Sequence, residues 1–210
     1  MKILVTGASG FIGLPVAQNL LGKGHEVLGL CRKGQKDGLI TGINWLHADL
    51  TDIAGYRDAV KMFDPEIVVH LAWQGIPDYS FINSRSNLEL SLELLSMLIS
   101  QKSCRKIIVA GSCWEFNRNK GKCYETEVGI PKDDFTWAKH SLRSWLEIEC
   151  KKSSICLGWM RIFYAYGPRQ RAESLVPNIM NHLVNNGIPH LKNPGNANDF
   201  VYVNDVAEAF

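Results

Sequence analysis

Zinc-ligand and disulfide patterns are both missing from this 210-residue chain. Its six cysteines (Cys31, Cys104, Cys113, Cys123, Cys150 and Cys156) form no CxxC pair and do not cluster with histidine. That excludes zinc-finger spacing and a disulfide framework, and no metal is expected. They read as reduced thiols of a cytoplasmic protein. No apolar run approaches the roughly 18 residues that cross a bilayer, so no helical membrane span is expected. The N-terminal "MKILVTGASG" starts apolar, but turn glycines cut the run before a signal-peptide core can form. Charge is close to balanced, and a net +2 offers no strong field to a nucleic acid or an anionic membrane. The six tryptophans do not interleave with basic residues as a base-stacking platform would. The basic run "RNKGK" (118–122) reads as a solvated loop tip. Internal repeats and low-complexity stretches are also absent.

What is present is an ordinary globular composition, 46% hydrophobic and 21% charged, in a length that suits one large domain or one domain with a small lobe. Short apolar runs alternate with helical patterns. "KILVT" (2–6), "HEVLGL" (25–30), "INWLHADL" (43–50), "EIVVHLA" (66–72), "KIIVAGS" (106–112) and "CLGWMRIF" (156–163) read as strands. Helices are expected within 11–24, over 52–63 behind Thr51 or Asp52, over about 83–101 and over about 135–151. The nearly all-apolar strands suit a sheet covered on both faces. The alternation predicts an α/β fold with a doubly wound parallel sheet. The longest irregular segments, 113–134 and 164–172, follow strands, which is the end of such a sheet where ligands bind.

"TGASGFIG" sets Gly7, Gly10 and Gly13 between the first strand and the first helix. Gly7 permits the tight turn, Gly10 lets the backbone approach a pyrophosphate, and Gly13 allows close packing of helix on strand. Located there, the triplet points to a dinucleotide held at a helix N-terminus. The end of the second strand, where an acidic residue would accept from an adenosine ribose, carries "LCRKGQK" instead. Arg32 and Lys33 can pair with a 2′-phosphate, so NADP is favoured over NAD.

With these features in place, the chain resembles the extended short-chain dehydrogenase/reductase family, the nucleotide-sugar epimerases, dehydratases and reductases. The resemblance rests on "TGASGFIG" (6–13), "HADLTD" (47–52), "HLAW" (70–73), "AGSCWEF" (110–116), "FTWAK" (135–139), "RIFYAYGPRQ" (161–170) and "NDFVYVNDV" (198–206), in that order. It implies a Rossmann-type NAD(P)-binding domain over 1–165 and the start of a substrate-binding lobe over 166–210. The lobe is expected to be truncated, because family members continue past "VNDVAEAF". It further implies that Ser9, Phe11 and Ile12 join the three glycines at the cofactor. Asp49 and Leu50 would cup the adenine, Leu71 and Ala72 would lie along the dinucleotide, and Lys139 would grip the nicotinamide ribose. Ser112 would hydrogen-bond the substrate carbonyl, with Trp73, Cys113, Trp114 and Arg169 around the sugar nucleotide. A homodimer through helices equivalent to about 84–101 and 135–151 is implied as well.

The chain departs from the family at a telling place. Phe135 stands where a tyrosine, four residues before the lysine, would handle the proton. Asn198 stands where an arginine would meet the substrate diphosphate. Dehydratases carry an Asp-Glu pair directly after the catalytic threonine, whereas Cys113 and Trp114 follow Ser112 and Glu115 comes one place late. "GSCWEF" and "HLAWQGIPDY" resemble the branch that reduces 4-keto-6-deoxy sugar nucleotides. The expected activity is therefore NAD(P)H-dependent reduction at the sugar C4, with 4-epimerisation and a catalytically impaired NAD(P)-binding protein as alternatives. An engineered Tyr→Phe change is a further explanation of Phe135. For the substitute acid, Tyr164 is the first candidate, beside Tyr166, Tyr79, Tyr124 and a water held by Lys139 and Ser112. His140 is discounted because it points about 100° away from Lys139 on the helix. Cys113 also reads as a small core-filling residue.

Overall fold

The computed structural model describes residues 1–32, 40–116, 121–191 and 193–210. Six strands form one parallel sheet in the order β3-β2-β1-β4-β5-β6. These are β1 (Lys2–Thr6), β2 (Glu26–Cys31), β3 (Asn44–His47), β4 (Ile67–His70), β5 (Lys106–Ser112) and β6 (Cys156–Ile162). Helices α1 (Gly13–Gly22), α2 (Ile53–Phe63), α3 (Phe81–Ile99) and α4 (Asp134–Lys152) supply the crossovers. The order reverses between β1 and β4, so the crevice at their carboxyl ends is the topological switch point. This is the Rossmann-type doubly wound sheet that the alternation predicts.

The sheet is wrapped on both sides because its strands are apolar on both faces. One face packs Leu4, Val68, Ile107 and Val109 against Tyr56 and Val60 of α2, Leu94, Leu95 and Leu98 of α3, and Leu142 and Leu146 of α4. The other packs Ile3, Val5, Val69 and Ile108 against Val16, Ala17 and Leu20 of α1. Sequence features set the helix starts. Asp52, Ser80 and Asp133 each accept the backbone N–H three residues on, and Asp133 completes a reciprocal capping box with Thr136.

The strands are shorter than the apolar runs suggest. β3 stops at His47, after which Asp49 turns the chain by accepting the Thr51 N–H at 2.9 Å. β4 stops at His70, and Leu71 and Ala72 instead donate to the backbone and side-chain oxygens of Thr6. Beyond β6, the segment read as irregular holds β7 (Tyr164–Tyr166), which pairs in parallel with β8 (Phe200–Tyr202) in a separate two-stranded sheet. Helix α5 (Leu175–Val184) lies between them and buries none of its residues. Helix α6 (Val203–Ala209) returns to the main sheet, where the Asn19 side chain of α1 donates to the Ala207 carbonyl at 3.0 Å. No helix among the described residues is long and apolar enough to cross a membrane.

Candidate active site

The glycine turn that follows β1 is built for close approach. Gly7 has φ +67°, and a Cβ there would meet the Ala72 backbone at 3.0 Å. A Cβ on Gly13 would overlap the Gly7 carbonyl, so helix and turn can pack only with glycine present. The Gly10 N–H donates to Gly7 O at 2.9 Å. Ser9, Phe11 and Ile12 are half-buried around the same turn. Helix α1 begins at Ile12, which offers no side-chain cap, and its first turn carries no acidic residue. Helices α2, α3 and α4 are all capped by side chains, whereas no side chain occupies the N-terminus of α1, which leaves that end open to an anion. An uncapped helix behind a turn that excludes Cβ atoms fits the pyrophosphate of a dinucleotide.

Of the other expected cofactor residues, Arg32 follows β2, Asp49 and Leu50 follow β3, and Leu71 and Ala72 follow β4. Arg32 is exposed just past β2, and Lys33 lies outside the described residues. Asp49 is held below the usual carboxylate range, first by the Thr51 backbone N–H and then by the Thr51 hydroxyl. Leu50 packs against the α2–α4 core and Leu71 against the α1 core.

Helix α4 carries Phe135 and Lys139 on one face, both buried. The Lys139 ammonium donates to the Ala110 carbonyl at 2.8 Å, so it stands two residues before Ser112 along β5. It also lies 3.9 Å from the centre of the Trp73 ring. No carboxylate forms an ion pair with it among the described residues. Burial pushes it down to about 7, against a smaller opposing effect of Glu115. Phe135 packs edge-on against Trp73 (5.3 Å) and Trp114 (6.0 Å), with Tyr79 at 5.1 Å. The indole Nε1 of Trp73 is buried without an acceptor among the described residues.

Ser112 ends β5, and its hydroxyl accepts the Trp114 N–H at 3.2 Å. Glu115 sits beneath this turn at 4% exposure. Its carboxylate accepts the Ser112 N–H at 2.6 Å and the Trp159 indole at 2.9 Å. The Arg161 Nε lies 3.9 Å away, while the other guanidinium nitrogens hold the Glu125 and Glu127 carbonyls. Glu115 thus orients the serine turn from below. The sequence named it only as an acid out of register. Burial pushes the Cys113 thiol up to about 11, so this cysteine is no thiolate nucleophile.

A second buried network fixes the wall opposite. Ser91 donates its single hydroxyl proton to the Asn87 carbonyl at 2.6 Å, so toward His70 Nε2 (3.0 Å) it accepts. His70 therefore carries its proton on Nε2, and Nδ1 accepts from the Thr6 hydroxyl at 2.8 Å. Thr6 Oγ1 in turn accepts the Ala72 N–H at 3.3 Å. Every proton in this chain has one direction. Burial, and then the Lys139 charge, push His70 down to about 3. In the sequence His70 stood only as the first residue of "HLAW", with no role given to it.

Two further expected site residues lie on the small second sheet and in the turn after its first strand. Tyr164 belongs to β7 and its ring packs on Phe200 at 5.9 Å. The tyrosine ring in contact with Phe135 is Tyr79. Arg169 is exposed in the turn after β7, with φ +69°.

Comparisons with known proteins show the family and the fold. The profile of the NAD dependent epimerase/dehydratase family matches residues 3–210. Protein CapI of Staphylococcus aureus is 27% identical over 226 aligned residues, covering 100% of this chain and 68% of the relative. The dTDP-6-deoxy-L-talose 4-dehydrogenase (NAD(+)) of Aggregatibacter actinomycetemcomitans is 24% identical over 182 residues, covering 86% of this chain and 67% of the relative. The solved structure of Thermus thermophilus UDP-glucose 4-epimerase in complex with NAD superposes with a TM-score of 0.82 at 26% identity, over 100% of this chain and 73% of that one. By its glycine turn, its serine and lysine, and the span of the family match, the chain belongs to the NAD dependent epimerase/dehydratase family.

Proposed function

We propose that the protein reduces the C4 ketone of a 4-keto-6-deoxy sugar nucleotide with a nicotinamide dinucleotide. The observation that carries this reading is the set of groups around Ser112. The Lys139 ammonium is anchored on the Ala110 carbonyl, two residues before Ser112 on β5, and the acid at this turn, Glu115, is bound to the Ser112 N–H from beneath. Elimination needs a free acid and base beside the sugar, and Glu115 is committed to the Ser112 N–H and the Trp159 indole. Epimerisation needs one group to take the O4 proton and return it. Reduction needs only a donor, which is the lighter demand on a site with phenylalanine at position 135.

When bound, the dinucleotide supplies the hydride. The chain's own residues do the rest. Ser112 polarises the carbonyl oxygen, and Lys139 places positive charge where the alkoxide develops. The unpaired Trp73 indole N–H offers a donor to the sugar, whose deoxygenated edge suits the Trp73, Tyr79 and Trp114 rings. A homodimer and a cytoplasmic location belong to the same proposal.

The test is consumption of NADPH with a nucleoside-diphosphate 4-keto-6-deoxyhexose, together with product analysis. Net reduction to the 4-hydroxy sugar is expected. Interconversion of 4-hydroxy epimers without net NADPH consumption would favour 4-epimerisation. Tight dinucleotide binding with neither reaction would favour a binding protein.

Cofactor choice belongs to this proposal too. Arg32 stands at the edge of β2 with no acidic residue before it, a setting that favours the 2′-phosphate of NADP. Arg32→Ala is expected to weaken NADPH binding about 10- to 100-fold, the loss of one charge-assisted contact, while NADH affinity stays within about 3-fold. Equal loss for both dinucleotides would sink the assignment.

A further inference from the structure

We infer that Tyr79 supplies the hydroxyl that Phe135 lacks and is the proton donor to the C4 oxygen. The inference rests on the reductive reading above. The chain has six tyrosines, and the structure separates them. Tyr56 of α2 is buried in the core, and Tyr124 is 59% exposed. Tyr164 pairs with Phe200, and Tyr166 with Tyr202, in the small second sheet. Tyr79 alone touches the site, with its ring 5.1 Å from Phe135 and 5.1 Å from Trp114. Through Phe135, whose ring lies 5.9 Å from the Lys139 ammonium, it shares one wall with the lysine.

The loop that carries Tyr79 is held at both ends. Gly75 takes φ +79°, and its carbonyl accepts the Asp78 N–H at 2.7 Å. The Asn83 side chain of α3 donates to the carbonyls of Gln74 (3.0 Å) and Asp78 (2.6 Å). One turn further on, the Asn87 carboxamide exchanges hydrogen bonds with the Gln74 backbone, accepting at 2.6 Å and donating at 3.1 Å. The Ser84 hydroxyl donates to the Tyr79 carbonyl itself. Below them, Ser91 connects the same helix face to His70 and Thr6. So much fixation, ending on one ring packed against Phe135, is what a positioned reactive group requires. The Tyr79 ring is half-buried, and its hydroxyl makes no hydrogen bond to another described residue, which leaves that oxygen for a ligand.

The step balances without a further reactant. With a bound reduced dinucleotide supplying the hydride to C4 and ending oxidised, the carbonyl π pair would move to oxygen, and that oxygen would take the Tyr79 proton to become the alcohol; the phenolate would regain its proton from solvent.

The test compares the parent, Tyr79→Phe, and Tyr79→Phe combined with Phe135→Tyr, in two measurements. In NADPH-dependent reduction of a nucleoside-diphosphate 4-keto-6-deoxyhexose, Tyr79→Phe is expected to lower kcat by about 10²–10⁴-fold, and adding Phe135→Tyr to restore most of it. In equilibrium binding of the corresponding 4-hydroxy sugar nucleotide with NADP⁺ present, followed by tryptophan fluorescence, Tyr79→Phe is expected to weaken binding about 5- to 10-fold while dinucleotide affinity is unchanged. An active parent whose kcat and product affinity survive Tyr79→Phe would overturn the inference alone. So would a loss of turnover accompanied by lost dinucleotide affinity and no rescue, which marks a structural role. A parent that binds dinucleotide but neither binds nor reduces any such sugar nucleotide overturns the reductive reading, and the inference with it.

Discussion

Lys139→Met is expected to make the ligand-free protein more stable at pH 6 while abolishing turnover. The reason is the setting of the ammonium. It is buried, has one hydrogen bond to the Ala110 carbonyl, and rests on the Trp73 ring without a carboxylate partner among the described residues. Burial brings it from 10.5 down to about 7 in the folded chain. Between these two values the unfolded chain holds the proton and the folded chain does not, so stability rises with pH across that window. Below pH 7 both states are protonated and the folded state bears the whole cost of the buried charge. That cost is on the order of 5 kcal/mol at 1.36 kcal/mol for each of roughly 3.5 pKa units. Methionine forfeits a hydrogen bond of about 1 kcal/mol and a cation–π contact of about 1–2 kcal/mol, leaving a net gain of roughly 2–3 kcal/mol at pH 6. Urea unfolding of both proteins at pH 6 and pH 9, without dinucleotide, measures it. The gain should shrink or reverse at pH 9, where the wild-type lysine folds neutral. A variant less stable than the parent at pH 6 would show that the ammonium is better solvated than its surroundings imply. A lysine kept at such a cost points to a ligand whose oxygens repay it.

How much of this was legible in the sequence varies with the range of the interaction. The alternation of strands and helices, and with it the doubly wound parallel sheet, followed from apolar runs and glycine punctuation, which are local. The pairing of Phe135 with Lys139 on one face of α4 followed from helical spacing, whereas the capping box of Asp133 with Thr136 emerged only in the structure. What escaped were contacts between segments far apart in the chain. The choice among tyrosines needed the path of the loop between β4 and α3, which is set by Asn83 and Asn87 side chains. No periodicity reports those bonds. Glu115 was judged by its place in a motif, and its real partners, Trp159 and Arg161, come from β6. The three-residue strands β7 and β8 are too short for an alternation to register, and they find each other across the whole of α5. Tyr164, chosen because it follows a strand, was drawn into that pairing instead.

His70→Leu is expected to destabilise the protein by about 3–4 kcal/mol at pH 7.5 and to remove much of its sensitivity to acid. Leucine roughly conserves the volume, so the loss comes from polar groups rather than a cavity. The Thr6 hydroxyl loses its acceptor and the Ser91 hydroxyl its donor, both in a buried setting where an unmet partner costs about 1–3 kcal/mol. The pH dependence has its own sign. His70 ionises near 6.5 in the unfolded chain and near 3 in the folded one, because burial and the Lys139 charge oppose the imidazolium. From pH 6.5 down to about 3 the unfolded chain binds a proton that the folded chain refuses, so stability falls as the solution is acidified. Protonation of Nδ1 would also set a donor against the Thr6 hydroxyl, whose proton already points at it. At about pH 4 this costs the wild type roughly 3 kcal/mol, about what the substitution costs at neutral pH. The two unfolding curves should therefore converge near pH 4, with other acidic groups cancelling in the difference. A gap that stays constant from pH 7.5 to pH 4 would mean that His70 titrates normally in the fold. The same variant should bind dinucleotide more weakly, since Thr6 also holds the Ala72 N–H and Ala72 lies directly against Gly7. The network that excludes a proton from the core is thus the one that keeps the cofactor crevice in shape.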